Sequence, residues 1–182
     1  MFYYKENRTL HLVSGADQYI SISSIYDDFD KMQIGYRMVE LVNRTTEEYQ
    51  ENAQIFNLLA DSLQLLGGAT KNYVNVLFNF ELRLLNLLGF KVDIKDLPGA
   101  NIESNIQNQY FYENSFSAGD VKVMEMLGGG GGEGNFNPFM SLNISKSQES
   151  AMEKFFENYL RNHIADAGFS NAKKVFNSRE MF

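Results

Sequence analysis

The sequence predicts a mainly α-helical protein that begins with a short antiparallel β segment. From residue 27 onward, apolar side chains recur at intervals of three and four, which is the spacing of amphipathic helices. Before that point the apolar stretches are short, rich in β-branched and aromatic residues, and separated by polar turns. We therefore expect a β segment over residues 1–26 and an α-helical domain over residues 27–182, with a flexible glycine-rich linker at 128–134.

Three short strands are predicted within the β segment. They cover Phe2 to Tyr4, Thr9 to Val13 and Tyr19 to Ile25, and in the third strand isoleucine and serine alternate with a period of two. Two or three strands do not form a stable sheet by themselves. This segment is therefore not expected to be a complete domain.

Two amphipathic helices are predicted next. The first runs from about Asp28 to Arg44. The second is N-capped by Asn52 and stops at the glycine pair Gly67 and Gly68. The side chains expected to be buried are Ile34, Met38, Leu41, Val42, Ile55, Leu58, Leu59 and Leu63.

The third helix, closed by Gly89, is apolar over most of its circumference, as is typical of a central core helix. Its polar side chains form one narrow stripe of Asn72, Asn75, Asn79, Arg83 and Asn86. Glu81 falls opposite that stripe, where an ionised carboxylate needs a cation or several hydrogen-bond donors. We expect a structural ion pair between Glu81 and Arg179, with Arg37 or a helix N-terminus as the alternatives.

Two further helices complete the pattern. A short one covers Ser115 to Leu127, with Ser117 as its cap. The last long helix starts at a capping box of Ser145 and Gln148 and ends at Gly168. Its apolar stripe consists of Met152, Phe155, Phe156, Tyr159, Leu160, His163 and Ile164. On that stripe His163 is predicted to be a core histidine with one satisfied nitrogen, rather than a ligand or a catalytic group.

The composition excludes most catalytic chemistry. The absence of cysteine removes thiol catalysis, disulfides and thiolate metal sites. The histidines, His11 and His163, have no sequence context that marks a catalytic base. A glycine run at 129–134 has the spacing of a pyrophosphate loop, but it follows a predicted helix instead of a strand, so we interpret it as linker. We expect no catalytic residue, no metal and no cofactor.

The net charge and the hydropathy pattern limit which partners the protein can bind and in which cellular compartment it can act. The formal net charge is −7, and nine acidic residues lie between Asp17 and Asp61. A protein that grips a phosphate backbone needs a dense basic face, so this balance argues against strong binding of nucleic acid. No apolar run approaches the roughly 18 residues needed to cross a bilayer, and the first residues lack a signal-peptide core. A cytoplasmic protein is expected.

Several segments stand in a characteristic order. They are Tyr36 to Arg44 followed by Thr45-Thr46-Glu47-Glu48, Asn52 to Leu66, Phe80-Glu81-Leu82 with Leu88-Gly89-Phe90, Tyr159-Leu160 with His163, and Ser178-Arg179-Glu180-Met181-Phe182. Together they resemble the helical domain of RecO, the bacterial recombination mediator. The resemblance implies a RecO-like helical domain, and it implies that the preceding β segment is the remnant of an oligonucleotide-binding (OB) barrel, of which the closing strands are present.

The resemblance also implies function and partners. RecO-like proteins are non-enzymatic mediators of DNA repair that dock the acidic C-terminal tail of single-stranded-DNA-binding protein and engage a RecR-type partner. Cations beside aromatic side chains suit an acidic peptide that ends in phenylalanine. The candidate partner-binding residues are Arg161, Lys173, Lys174 and Arg179. We expect most of the barrel to be missing, and the sequence lacks the zinc-binding cysteines found in many family members. DNA is therefore expected to bind weakly or through the missing barrel.

The alternative is a structural or scaffolding helical domain that binds proteins and has no DNA-related activity. Its acidic surface would then meet a basic partner. A complete OB barrel encoded directly upstream of Met1 would favour the mediator.

Overall fold

The fold is mainly α-helical. The computed structural model describes residues 2–3, 12–15, 17, 21–92, 116–128 and 138–163. Two short strands, β1 (Phe2–Tyr3) and β2 (Leu12–Val13), pair antiparallel with Phe2 opposite Val13. The remaining regular structure in the described ranges is six α-helices and one 3-10 helix.

The third predicted strand is wrong at its C-terminal end. Ser23–Tyr26 forms a single helical turn, α1, instead of continuing the alternating pattern. Ile25 in this turn is 4% exposed and packs in the core, and the Ser24 hydroxyl donates to the carbonyl of Gly67 at 3.0 Å. These tertiary contacts outweigh a local β preference that is weak in a short segment.

Helix α2 spans Phe29–Thr45 and starts where the sequence predicts. Oδ1 of Asp28 accepts hydrogen bonds from the backbone N–H groups of Asp30 at 3.0 Å and Lys31 at 3.2 Å. The bond from Lys31 is the main reason why the pKa of Asp28 lies below its ordinary value. The cap satisfies donors that the first turn would otherwise leave without partners.

Helix α3 spans Ala53–Gly68, and both of its ends are held by side chains. Oδ1 of Asn52 accepts from the N–H of Ile55 at 3.0 Å, which confirms the predicted N-cap. At the other end, the carbonyl of Gly67 accepts from the Ser24 hydroxyl and from Nζ of the buried Lys31, each at 3.0 Å. An ammonium group at this position also complements the negative end of the helix dipole.

Helix α4 spans Tyr73–Leu87 and is the central helix of the fold. It contacts α2, α3, α5, α6 and the 3-10 helix. It ends at Gly89, where φ is +85° and the N–H of Phe90 donates to the carbonyl of Leu85 at 2.9 Å. This left-handed glycine, with the hydrogen bond that spans it, is a Schellman motif, and it lies where the sequence predicts the helix to close.

Helix α5 spans Ala118–Gly128, and the 3-10 helix spans Pro138–Ser141. The start of α5 is a capping box: the N–H of Ser117 donates to Oδ2 of Asp120 at 2.7 Å, and the N–H of Asp120 donates back to the Ser117 hydroxyl at 3.3 Å. The predicted helix with its Ser117 cap is therefore confirmed. Gly128 belongs to α5 instead of to the predicted linker.

Helix α6 spans Lys146–His163 and packs its apolar stripe on α4. The predicted capping box is present, with Ser145 N–H donating to Gln148 Oε1 at 3.1 Å and Gln148 N–H donating to Ser145 Oγ at 3.3 Å. The ring of Phe156 stacks on Phe78 of α4 with centroids 5.6 Å apart. Both rings are fully buried, so this contact joins the last helix to the core.

Several sequence predictions concern residues outside the described ranges. They are the glycine linker at 129–134 and the continuation of the last helix from Ile164 to Gly168. Within the ranges that are described, every helix is too short or too polar to cross a membrane.

Candidate functional site

Glu81 and Arg37 form a buried ion pair between α4 and α2. Nε of Arg37 donates a hydrogen bond to Oε1 of Glu81 at 3.0 Å, and Nη2 lies 2.8 Å from the same oxygen as an ion-pair contact. The side chain of Glu81 is 0% exposed and that of Arg37 is 12% exposed. Arg37 is one of the alternative partners that the sequence indicates. Arg179 lies outside the described residues, and its pairing with Glu81 stays a prediction.

The second carboxylate oxygen of Glu81 is left without a donor in the described part of the chain. Oε2 is buried and accepts no hydrogen bond there. Burial raises the pKa of Glu81 above its ordinary value; Arg37 opposes that increase, and the carboxylates of Glu153 and Glu157 on α6 add to it. The pair can therefore accommodate one further hydrogen-bond donor.

The polar stripe of α4 is buried at Asn75 and Asn79 and exposed at its C-terminal end. Asn75 is 0% and Asn79 is 4% exposed, and solvent reaches the stripe at Arg83 and Asn86. Nδ2 of Asn75 donates to the carbonyls of Phe139 at 2.8 Å and of Leu142 at 2.9 Å. These bonds fix the 3-10 helix against α4.

Two neighbouring asparagines extend this set of bonds. Nδ2 of Asn79 donates to the carbonyl of Leu127 at 2.6 Å, and Nδ2 of Asn72 donates to that of Met140 at 2.9 Å. Asn72 holds a left-handed backbone with φ 55°, which asparagine tolerates better than most residues. Asn79 thus binds the end of α5 while Asn75 and Asn72 bind the 3-10 helix, so α4 anchors the chain on both sides of residues 129–137.

The prediction that His163 is a core histidine is wrong. It is the last residue of α6 and its side chain is exposed, because the last buried residue of the helix is Leu160 and the stripe continues beyond the core. Its Nδ1 lies 2.8 Å from the carbonyl oxygen of Tyr159. The ring stacks on Tyr159 at a centroid distance of 4.1 Å and meets Phe90 edge-on at 5.6 Å.

Of the candidate partner-binding cations, Arg161 lies in the described ranges. It is exposed in the last turn of α6. At about 100° per residue, a side chain two positions from Tyr159 and from His163 projects from nearly the opposite side of the helix. The structure therefore does not bring Arg161 together with the stacked pair of Tyr159 and His163. Lys173, Lys174 and Arg179 lie outside the described residues.

The polar groups described above hold neighbouring elements of the fold together. Across the described ranges, no three histidine or acidic side chains come together as a metal site would require. The burial of Asn75 and Asn79, among other buried polar residues, is not predicted by the sequence pattern. Two amides one turn apart on a helix that is otherwise apolar were the signal that could have identified them.

These features define a helical domain built around a central helix whose polar side chains bind its neighbours in the fold. The family model for the C-terminal region of recombination protein O (RecO) matches residues 26–171. The chain therefore belongs to the RecO family, a family of non-enzymatic recombination mediators. As the sequence shows, it is a member without cysteines.

Relatives named DNA repair protein RecO support this assignment. That of Prosthecochloris aestuarii is 29% identical over 119 residues, which cover 61% of this chain and 45% of the relative. That of Chlorobaculum parvum is 30% identical over 103 residues, covering 57% of this chain and 40% of the relative. The matched part spans less than half the length of these relatives. No solved structure matches the chain significantly.

Proposed function

We propose that this chain is a RecO-like DNA repair protein that acts in the cytoplasm as a recombination mediator by docking other proteins. The observation that carries the proposal is the family match, which spans every described α-helix from α2 to α6. The proposed partners are the acidic tail of single-stranded-DNA-binding protein and a RecR-type protein. In this proposal β1 and β2 are remnants of an OB-type barrel, residues 1–26 form the β segment, and residues 27–182 form the helical domain.

Charge supports protein docking over DNA binding by this chain. A groove with several phosphate contacts would have to overcome a net charge of −7. A peptide that ends in a carboxylate and one aromatic ring needs a single local cation and a local apolar hole. Arg161 is our candidate cation in the described structure, with Lys173, Lys174 and Arg179 as the others.

We further propose that Arg179 donates to Glu81. Oε2 of Glu81 is a buried oxygen to which no described residue donates. A second guanidinium would satisfy that oxygen and help to offset the cost of burying the charge. In this proposal Arg37 and Arg179 share the carboxylate.

A competition between two ligands tests the docking proposal. A labelled peptide that ends in acidic residues and phenylalanine, and a labelled single-stranded oligonucleotide, are titrated with the protein at the same salt concentration. The peptide should bind more tightly. Tighter binding of the oligonucleotide, with a steep salt dependence, would show that the chain binds DNA by itself and would overturn the proposal.

Two charge-reversal variants test whether Arg161 contributes to peptide binding. Arg161→Glu should weaken peptide binding by several-fold, on the scale of about 1 kcal/mol for a charge at the edge of a site. Lys122→Glu changes the same charge at an exposed position of α5 and serves as the control. Equal effects of both variants would mean that Arg161 acts through net charge alone.

A further inference from the structure

A second surface lies at the connection between α2 and α3 and at the start of α3. Within residues 46–61 there are four acidic residues, Glu47, Glu48, Glu51 and Asp61, and no basic residue. Two aromatic side chains in the same stretch are exposed to solvent: Tyr49 is 101% exposed and Phe56 is 70% exposed. Exposed rings framed by charges of one sign are typical of an interaction surface.

The backbone at Tyr49 is costly for a tyrosine. The N–H of Gln50 donates to the carbonyl of Glu47 at 3.3 Å, which closes a four-residue turn with Tyr49 in its third position. Tyr49 has φ 65° there, a conformation that favours glycine or asparagine. Because its ring is fully exposed, packing within the chain does not offset this cost. A residue kept under strain without an internal contact points to a role outside the fold.

Phe56 is exposed for a local reason. Asn52 is the N-cap of α3, so Phe56 occupies the fourth helical position and Glu51 directly precedes the cap. In many helices an apolar residue before the cap packs on the fourth helical residue as a hydrophobic staple. Here the residue before the cap is a glutamate, and the phenylalanine ring stays 70% exposed.

We propose that the surface formed by Glu47, Glu48, Tyr49, Glu51 and Phe56 docks a basic segment of a partner protein. Arginine is the side chain that this surface suits best, because its guanidinium binds carboxylates and also stacks on aromatic faces. The nearest cation along the chain, Arg44, lies 2.7 Å from Glu40 on its own helix. The negative charge of this surface repels the phosphates of a nucleic acid, and it also repels a second copy that presents the same acidic surface. These residues differ from those of the proposed peptide site, so this inference is independent of the proposed function.

Fluorescence anisotropy with the full chain tests the proposal. The probe is a fluorescein-labelled peptide in which arginine alternates with leucine, and the reference probe has glutamate in place of each arginine. The arginine peptide should bind and the glutamate peptide should not. Tyr49→Gly and Phe56→Ala should each weaken binding by about two- to fivefold, and the triple change of Glu47, Glu48 and Glu51 to glutamine should weaken it further.

The Tyr49→Gly variant separates binding from folding. Glycine relieves the positive φ, so this variant should melt no lower than the parent protein while it loses affinity. Tyr26→Ala, at another exposed tyrosine, and Glu125→Gln, at an exposed glutamate of α5, are the matched controls and should leave binding unchanged.

Three results would overturn the proposal. Unchanged binding in the Tyr49 and Phe56 variants would mean that the peptide is held elsewhere. Equal binding of the glutamate peptide would remove the argument from charge. A concentration-dependent dimer in sedimentation, lost in Tyr49→Gly, would assign the surface to self-association.

Discussion

On the two sides of α4, the cost of burying polar groups is offset by different kinds of contact. On one side Glu81 meets Arg37, and one carboxylate oxygen accepts from Nε and lies against Nη2, while the other accepts no hydrogen bond within the described chain. On the other side, the amides of Asn75 and Asn79 donate to backbone carbonyls of the 3-10 helix and α5. The first side joins two charges and the second joins neutral groups to the backbone. The comparison shows that a central helix can be oriented on both sides by polar contacts.

The energetic consequences differ as well. A buried charge that loses its partner keeps a large desolvation cost, whereas a carbonyl that loses a neutral donor loses one ordinary hydrogen bond. The ion-pair side should therefore be the more sensitive to loss of a single partner. It should also be the side that responds to pH, because amides do not titrate.

The largest effect is expected from Arg37→Ala. It removes the Arg37 cation that lies against the buried Glu81 carboxylate and should lower the free energy of unfolding by about 3–5 kcal/mol. Urea denaturation followed by circular dichroism measures this difference. Arg44→Ala removes the partly exposed pair with Glu40 and should cost about 0.3–0.5 kcal/mol.

A double variant shows whether the charge itself is responsible. Arg37→Met combined with Glu81→Leu removes both charges and keeps apolar volume, so it should recover most of the lost stability. If the double variant is as unstable as Arg37→Ala, the packing of the arginine stem, and not the uncompensated carboxylate, explains the loss.

Arg179→Ala is expected to have the next largest effect. If Arg179 donates to Oε2 of Glu81, its removal should cost about 1.5–3 kcal/mol, which is the range for a hydrogen bond to a charged group. Lys174→Ala is the control for loss of a cation in the same part of the sequence. A double-mutant cycle with Glu81→Gln isolates the coupling between the two side chains, and additive effects would leave Arg37 as the sole proposed partner.

On the other side of α4, Asn75→Ala should lower stability by about 1–3 kcal/mol. It removes the donor to the carbonyls of Phe139 and Leu142, both of which lose a bond in a part-buried or buried setting. Asn86→Ala changes the same residue type at an exposed position of the same helix, so it controls for helix propensity. Equal thermal midpoints for the two variants would mean that water replaces the amide.

The sequence predicted local features of this fold better than contacts between distant residues. The caps at Asn52, Ser117 and Ser145 were recognisable because each depends on residues within one helical turn. Glu81 was recognisable because a charge interrupts an apolar face. The role of Asn75 could not be predicted in this way, because its acceptors lie 64 and 67 residues along the chain and an asparagine stripe is also what a solvated face presents.

The same limit explains the errors. The alternation before Ile25 was interpreted as a strand, but the contact of Ser24 with Gly67, 43 residues away, belongs to a helical turn. His163 follows the apolar spacing of α6, but periodicity does not reveal where the core stops along a helix. Both errors concern tertiary context that overrides a correct local pattern.

The smallest effect, and a test specific to the ion-pair side, is expected from pH. Burial raises the pKa of Glu81 above its ordinary value of 4.5, so the folded protein binds this proton more tightly than the unfolded chain does. The stability that Glu81 contributes is therefore fully present below pH 4.5 and is lost as the pH rises through the raised folded value. The difference in unfolding free energy between the parent protein and Glu81→Gln should fall across this window, whereas the difference between the parent and Asn75→Ala should stay flat. Urea titrations at a series of pH values measure both differences, and Glu125→Gln controls for an exposed carboxylate. A difference for Glu81→Gln that rises with pH would show that Arg37 outweighs burial at this carboxylate.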